Sequence, residues 1–243
     1  ARSNFDRVQR DMDQSIARLS SGKRINTAAD DAAGQAISGR MESQIRGLTM
    51  QVKNARDAQS LVDTTEGAMQ EITGILQRMR ELAVQASSGI ATTADKGYLD
   101  TEVEALIAEI EAISVNTTFN EQTILSDVGF SFYTDINVTG TKISTTVANM
   151  STSVLGVTAL EVEIGTTAAA AIVAIDQALS GVDDKRTHMG AISNRLDHVI
   201  DNLTNVIANT AAAQSRIQDA DYAVETTALT RATILQQAAT SMI

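Results

Sequence analysis

The sequence predicts a mainly α fold: a long antiparallel helical rod or coiled-coil bundle with a small β-hairpin region at the centre of the chain. Apolar residues recur at steps of three, four or seven through residues 33–86 and again through about 167–217. The 243 residues include no proline, the strongest breaker of helices. Aromatic residues make up only 3% of the chain, which suits a seam of aliphatic side chains better than a compact globular core.

The N-terminal half predicts three helices. The first covers residues 1–19 and is broken by the Ser-Ser-Gly at 20–22. After a loop, Asp30 or Asp31 can cap the second helix, which runs to about residue 86 and would reach about 80 Å. A helix of that length cannot bury its stripe by itself, so it needs partner helices from its own chain or from copies. A short loop leads to a third helix, antiparallel to the second, from about Asp95 to residue 115. The apolar face of the first helix consists of Phe5, Val8, Met12, Ile16 and Leu19.

The centre of the chain differs from the C-terminal half in composition and in the spacing of its apolar residues. Residues 116–167 are rich in Thr, Ser, Val, Ile and Gly, and the alternation of Phe130 with Phe132 and of Ile136 with Val138 predicts short strands or hairpins. The helical pattern resumes at about residue 167. It is weakened by the polar residues 218–222 and continues over 224–243. The last helix has an apolar face formed by Leu229, Ala232, Leu235, Ala239 and Met242.

The two long helices are expected to pack antiparallel. Both chain ends then return to the same end of the molecule, and the two apolar stripes match in length and period. Ile45 and Leu203 are therefore not expected both to face solvent.

Composition argues against several classes of function. The chain has 19 Lys and Arg against 30 Asp and Glu, a net charge of −11 with no compensating basic patch, so nucleic acid and anionic membrane surfaces would repel it. No apolar run is long enough to insert into a membrane as a helix. The absence of cysteine excludes disulfides and thiolate metal sites. No cleavable signal peptide is visible, although a signal lost before Ala1 stays open.

The motifs of catalysis are missing from the sequence. His188 and His198 are ten residues apart, which does not match the spacing of a zinc pair on a helix. There is no phosphate loop, no GxGxxG and no GxSxG. We therefore predict no catalytic, cofactor-binding or metal-binding residues, no cofactor and no enzymatic activity. Carboxylate pairs such as Glu102 with Glu104 are best explained as a solvated surface, with weak binding of a hard cation as the alternative.

Seven motifs spread over both halves resemble those of bacterial flagellins. The resemblance covers about residues 1–126 and 168–243. Two small departures are Thr233, where the family usually has glutamine, and Ala239, where it usually has glycine. The motifs are LSSGKRINTAADDAAGQAI at 19–37, TTEGAM at 64–69, LQRMRELAVQ at 76–85, TFN at 118–120, GAISNRL at 190–196, SRIQDADYA at 215–223 and ILQQA at 234–238.

The resemblance implies a subunit of the flagellar filament, located outside the cell and exported unfolded through the flagellum's own channel without a cleaved signal. It also implies a division into an N-terminal inner-core helix and spoke loop (1–31), a helical rod domain (32–115 and 168–217), a β-rich hairpin region (116–167) and a C-terminal inner-core helix (218–243). Large outer domains are absent from the short centre. Family members extend beyond both ends of this chain, so we expect a chain with these bounds to fold but to remain monomeric.

The implied partners are other copies of the chain, the flagellar export and capping machinery, and an innate immune receptor of the Toll-like class. By resemblance, the receptor contacts Arg78, Leu82 and Glu109. Three alternatives remain open: a hook–filament junction protein, a surface adhesin that binds polysaccharide or host receptors, and an enzyme carried on a filament. The residues implied in assembly through the terminal helices are Phe5, Val8, Met12, Ile16, Leu229, Leu235 and Met242.

Overall fold

A computed structural model describes residues 2–133, 142–162 and 165–241. Over these residues the chain is mainly helical, with two small antiparallel sheets near its centre, which confirms the predicted fold class. The elements in chain order are α1 (Arg2–Ser21), α2 (Ala32–Ala86), α3 (Thr93–Asn116), β1 (Thr118–Phe119), β2 (Gln122–Thr123), β3 (Val128–Tyr133), β4 (Lys142–Val147), α4 (Thr152–Leu155), α5 (Gly165–Gln218) and α6 (Tyr222–Ser241).

The helix ends have local causes. Gly22 follows α1 with a φ of +70°, which L-residues with a side chain rarely adopt. The carboxylate of Asp31 accepts the backbone N–H of Gly34 (2.8 Å) at the start of α2, so Asp31 rather than Asp30 acts as the cap. The start of α3 was predicted at Asp95 and lies two residues earlier. The reason is a capping box in which Thr92 and Asp95 each accept the other's backbone N–H.

The chain divides into two compact units, to which α2 and α5 both contribute. Unit 1 comprises Ala1–Met50 and Asn202–Ile243, and unit 2 comprises Gln51–Asp201. The functional division drawn from the sequence, with boundaries after residues 31 and 217, stays a prediction.

In unit 1 the start of α2 pairs with the end of α5. Ser38 Oγ donates to Gln218 Oε1 (2.9 Å), and Gln214 Nε2 donates to Glu42 Oε2 (3.1 Å). The partner number on α5 falls as the number on α2 rises, so the two segments are antiparallel. Leu203 is buried, which meets the expectation that it and Ile45 do not both face solvent.

Unit 2 continues the same antiparallel pairing between α2 and α5. Polar contacts join Gln59 to Asp197 (2.7 Å), Glu66 to Arg186 (3.2 Å) and Arg80 to Asp176 (2.6 Å). The apolar stripes of α2, α3 and α5 form the core between these contacts. Its fully buried members include Ile72, Leu76, Met79, Val103, Ile110, Ile175, Met189 and Leu196.

The central region forms two hairpins and a short helix. β1 pairs with β2 around a two-residue turn, and β3 pairs with β4 from Val128–Val147 to Tyr133–Lys142. Phe130 and Phe132 alternate as predicted and pack against the core, with parallel rings 6.5 Å apart. Ile136 and Val138 lie outside the described residues. The helical turn α4 was missed by the sequence interpretation, which assigned the whole centre to strands.

Candidate assembly surface

The terminal helices α1 and α6 pack against each other within unit 1. Arg18 Nη1 forms an ion pair with Glu225 Oε1 (3.0 Å), and Gln236 Nε2 donates to Gln9 Oε1 (2.8 Å), so the helices run antiparallel. Glu225 is buried although it is charged. Its burial is tolerated because Arg18 pairs with it.

The apolar faces predicted for assembly are only partly covered within one chain. On α1, Met12 is half-buried and Ile16 is 46% exposed, whereas the small polar residue Ser15 is buried. On α6, Leu229 is half-buried and Leu235 is 49% exposed. Phe5 and Val8 are also half-buried, and Met242 lies outside the described residues.

The outer side of α6 carries a depression of about 480 Å³ lined by threonines, Arg231, Ile234 and Leu235. Thr226, Thr227 and Thr230 each donate their hydroxyl to the carbonyl four residues earlier (2.8 Å in each case). Because these donors are satisfied inside the helix, another protein surface can cover them without losing a hydrogen bond. This side of α6 can therefore be buried at low cost.

The loop after α1 is hydrogen-bonded to the end of α5 and to the residues that follow it. The backbone N–H of Arg24 donates to the carbonyl of Gln218 (2.7 Å), and its Nη2 donates to the carbonyl of Ile217 (2.6 Å). Ala220 N–H donates to the carbonyl of Gly22 (3.0 Å). The guanidinium and the backbone N–H of Arg24 thus each cap one of the last two carbonyls of α5, where a positive charge is favourable. Sequence periodicity did not reveal this cap, because it depends on one polar residue in a loop.

The residues implied in receptor binding separate into exposed and buried ones. Arg78 is half exposed and donates to Glu102 Oε1 from Nη2 (2.8 Å) and to Glu81 Oε2 from Nη1 (3.1 Å). The hydrogen bond to Glu102, and to a smaller extent the one to Glu81, raises the pKa of Arg78 above its ordinary value. Glu109 is exposed, but Leu82 is only 1% exposed. Leu82 is a core residue of unit 2, so its side chain offers no surface for the receptor contact assigned to it.

The described residues hold few candidates for other chemistry. His188 and His198 are both exposed on α5. Within residues 2–133, 142–162 and 165–241, no group of three or more His, Asp or Glu side chains is arranged to hold a metal ion. Across those same ranges, none of the helices combines the length and apolar character that a membrane span requires.

Paired terminal helices with incompletely covered apolar faces are typical of a helical protein that associates with copies of itself. Residues 1–129 match the family profile of the bacterial flagellin N-terminal helical region, and residues 172–243 match that of the C-terminal helical region. The chain belongs to the bacterial flagellin family.

Individual relatives agree with this assignment. A flagellin of Halalkalibacterium halodurans is 42% identical over 233 residues, which cover 95% of this chain and 86% of that protein. A flagellin of Bacillus subtilis is 36% identical over 268 residues, which cover 95% of this chain and 87% of that protein. The crystal structure of Bacillus cereus flagellin superposes with a TM-score of 0.57 at 31% identity, covering 67% of this chain and 94% of that one. The protein is a structural subunit of the flagellar filament, which lies outside the cell and serves motility.

Proposed function

We propose that copies of this flagellin join through the outer sides of α1 and α6 in unit 1. The observation that carries this proposal is the α6 surface, where Ile234 is 60% and Leu235 is 49% exposed beside threonines whose hydroxyls are already satisfied. Burial of such apolar area releases about 25 cal/mol per Å² and offsets the entropy lost when helix ends become ordered. The residues proposed to be buried are Phe5, Val8, Met12, Ile16, Leu229, Leu235 and Met242.

Seeded elongation of filaments, measured on flagellin as the bacterium exports it with the substitutions introduced there, tests this surface. Leu235→Asp would place an unpaired carboxylate in the contact, and we expect elongation to slow by at least about tenfold, the factor that corresponds to about 1.4 kcal/mol. Ser180→Asp, which adds the same charge at an exposed position of α5, is the matched control. Circular dichroism checks that both variants keep their helices. Elongation of Leu235→Asp at the control rate would contradict the proposal.

We also propose the functional division into 1–31, 32–115 with 168–217, 116–167 and 218–243. Trimming of α1 and α6 should then abolish elongation while leaving unit 2 folded, because the core of unit 2 contains no residue from either helix. Limited proteolysis followed by circular dichroism and sedimentation measures both outcomes.

We further propose export through the flagellar channel without removal of a signal, followed by assembly beneath the filament cap. Family membership supports this route. Intact masses of the cytoplasmic and filament forms should be equal, and a strain without the cap should release monomer into the medium. A filament form that has lost N-terminal residues would contradict the uncleaved route.

A receptor contact at Arg78 and Glu109 is the remaining proposal, supported by their exposure on α2 and α3. Arg78→Ala should reduce activation of a Toll-like receptor by monomer. Leu82→Ala should act only through stability, because that side chain is buried. Arg56→Ala, which removes an exposed arginine elsewhere on α2, is the control. Equal activation by Arg78→Ala and Arg56→Ala would refute the assignment.

A further inference from the structure

The loop between α1 and α2, residues 22–31, is anchored in unit 1 although it lies outside the helices. Ile25 at its centre is only 1% exposed. Asp30 Oδ2 accepts the backbone N–H of Thr27 (2.9 Å), and Asp30 Oδ1 accepts Nε2 of Gln14 on α1 (2.9 Å). An apolar side chain in the core and a polar contact to a neighbouring helix hold this loop in place. We call residues 22–31 the strap.

The strap also connects the N-terminal part of unit 1 to its C-terminal part. Lys23 and Asp219 form an antiparallel β-bridge, with one backbone hydrogen bond on either side of it (2.7 and 3.0 Å). Arg24 Nη2 adds a bond to the carbonyl of Ile217 (2.6 Å), which lies 193 positions further along the chain. These bonds form only when that distant segment is in place, so the strap closes by joining both ends of the chain.

Gly34, in the first turn of α2, makes room for the closed strap. It is buried, and a Cβ at this position would lie 2.6 Å from Ile25 Cδ1 and 2.5 Å from Asp31 Oδ2. Nonbonded carbon atoms are about 3.5–4.0 Å apart at their optimal separation, so a methyl group would displace these side chains. Neither is free to move, because Ile25 is enclosed and the other carboxylate oxygen of Asp31 accepts the N–H of Gly34 (2.8 Å).

Gly39, on the same helix, lacks such a contact. It is exposed, and a Cβ there would meet no atom of the described residues within 4 Å. Since alanine is favoured over glycine in a helix, alanine should be favourable at position 39. At position 34 the same helix preference is opposed by the contact with the strap. The two glycines therefore separate helix propensity from docking of the strap.

We propose that the strap closes over Gly34 and that elongation of the filament requires the closed strap. Closure holds Gly22, which follows α1, against Ala220, which precedes α6 (3.0 Å). With the strap open, the two terminal helices are tethered less closely, so more conformational entropy is lost when they dock. The inference rests on the proposed assembly through α1 and α6, and it names the part of unit 1 that prepares both helices for assembly.

Hydrogen exchange followed by mass spectrometry measures whether the strap is closed. The measurement uses filaments grown from flagellin as the bacterium exports it, and a peptide that contains the backbone N–H groups of Arg24 and Thr27. In Gly34→Ala this peptide should exchange at least about tenfold faster than in Gly39→Ala. Peptides from unit 2 should exchange alike, because the strap belongs to unit 1. Equal exchange of the strap in both variants would overturn the role of Gly34.

Seeded elongation measures whether closure matters for assembly. Gly34→Ala should elongate seeds at least about tenfold more slowly than Gly39→Ala, while circular dichroism shows the same helix content in both. Normal elongation of Gly34→Ala with a rapidly exchanging strap would overturn the requirement for closure and leave the proposed surface of α1 and α6 intact. Elongation of Leu235→Asp at its control rate would count against that surface, whatever the strap does.

Ile25→Val distinguishes the contact with position 34 from a general loss of stability. Valine lacks Cδ1, one of the two atoms closest to a Cβ at position 34. Gly34→Ala should therefore slow elongation less in an Ile25→Val background than in the otherwise unchanged protein. Leu48→Val, which also shortens a buried side chain of unit 1, is the control background and should give no relief. A defect of the same size in all three backgrounds would overturn the contact between the strap and position 34.

Discussion

The turn between β1 and β2 allows a stability prediction that follows from backbone geometry alone. Asn120 and Glu121 occupy its two central positions with φ values of +50° and +64°. Two positive φ values in a two-residue hairpin loop match a type I′ turn, which favours Asn followed by Gly. Asn120 fits this preference, whereas Glu121 holds a side chain in the left-handed region. We predict that Glu121→Gly stabilises the protein.

The magnitude follows from two opposing contributions. The left-handed conformation costs a residue with a side chain about 1–2 kcal/mol, and glycine removes this cost. Glycine also gives the unfolded chain more freedom, which costs about 0.4–1 kcal/mol. The expected gain in the free energy of unfolding is therefore about 0.5–1 kcal/mol. For a chain of this size it should raise the Tm by about 1–4 °C.

Thermal and urea unfolding, followed by circular dichroism, measure this gain. Asn120→Gly and Asp127→Gly are the matched comparisons, since both residues also have positive φ but asparagine and aspartate tolerate it better. The expected order of stabilisation places Glu121→Gly first. If Glu121→Gly is neutral or destabilising, or falls below the other two, the strain assigned to Glu121 is refuted.

Three further predictions concern the two units. Leu76→Ala, which empties a fully buried site in unit 2, should lower the free energy of unfolding by about 2–5 kcal/mol in a urea titration. Glu225→Gln should cost about 1–3 kcal/mol in the same measurement, because the buried ion pair with Arg18 loses its charge. Asp30 has a pKa of about 2, lowered from 3.8 by N–H donors of Thr27 and Asn26 and by Gln14. A lowered carboxylate pKa stabilises the fold above about pH 4, and that stability is lost as the pH falls towards 2. Asp30→Asn should therefore flatten the stability profile in that window.

Each of these predictions has a matched control. Val84→Ala, at a half-exposed position of α2, should change stability by less than about 0.5 kcal/mol. Exchange of the charges in Arg18→Glu with Glu225→Arg should recover part of the loss if the pair itself matters. Asp13→Asn, which removes an exposed carboxylate from α1, is the comparison variant for Asp30→Asn. A Glu225→Gln variant as stable as the unchanged protein would show that the ion pair does not stabilise the fold.

The long helices and their antiparallel packing could be predicted from the sequence alone. A stripe with steps of three, four and seven is a geometric property of a helix face, so it is visible before any tertiary contact is known. The ends of α1 before Gly22 and of α2 at Ala86 could also be predicted, because the backbone preferences of Gly and Ser act locally. Family membership followed from ordered motifs spread over both halves.

The side chains of those helices that remain exposed depend on tertiary packing and could not be predicted from the pattern. Leu82 has the periodicity of a core residue and also belongs to the segment implied in receptor binding, and burial against unit 2 assigns it to the core. Ser15 of α1 is buried, whereas the apolar Ile16 next to it is half exposed. The Arg24 cap and the Arg18–Glu225 pair join residues about 200 positions apart, a separation that no periodicity encodes. The physical reason is that a local pattern fixes the face of a helix, while the partner that covers this face depends on how distant segments pack.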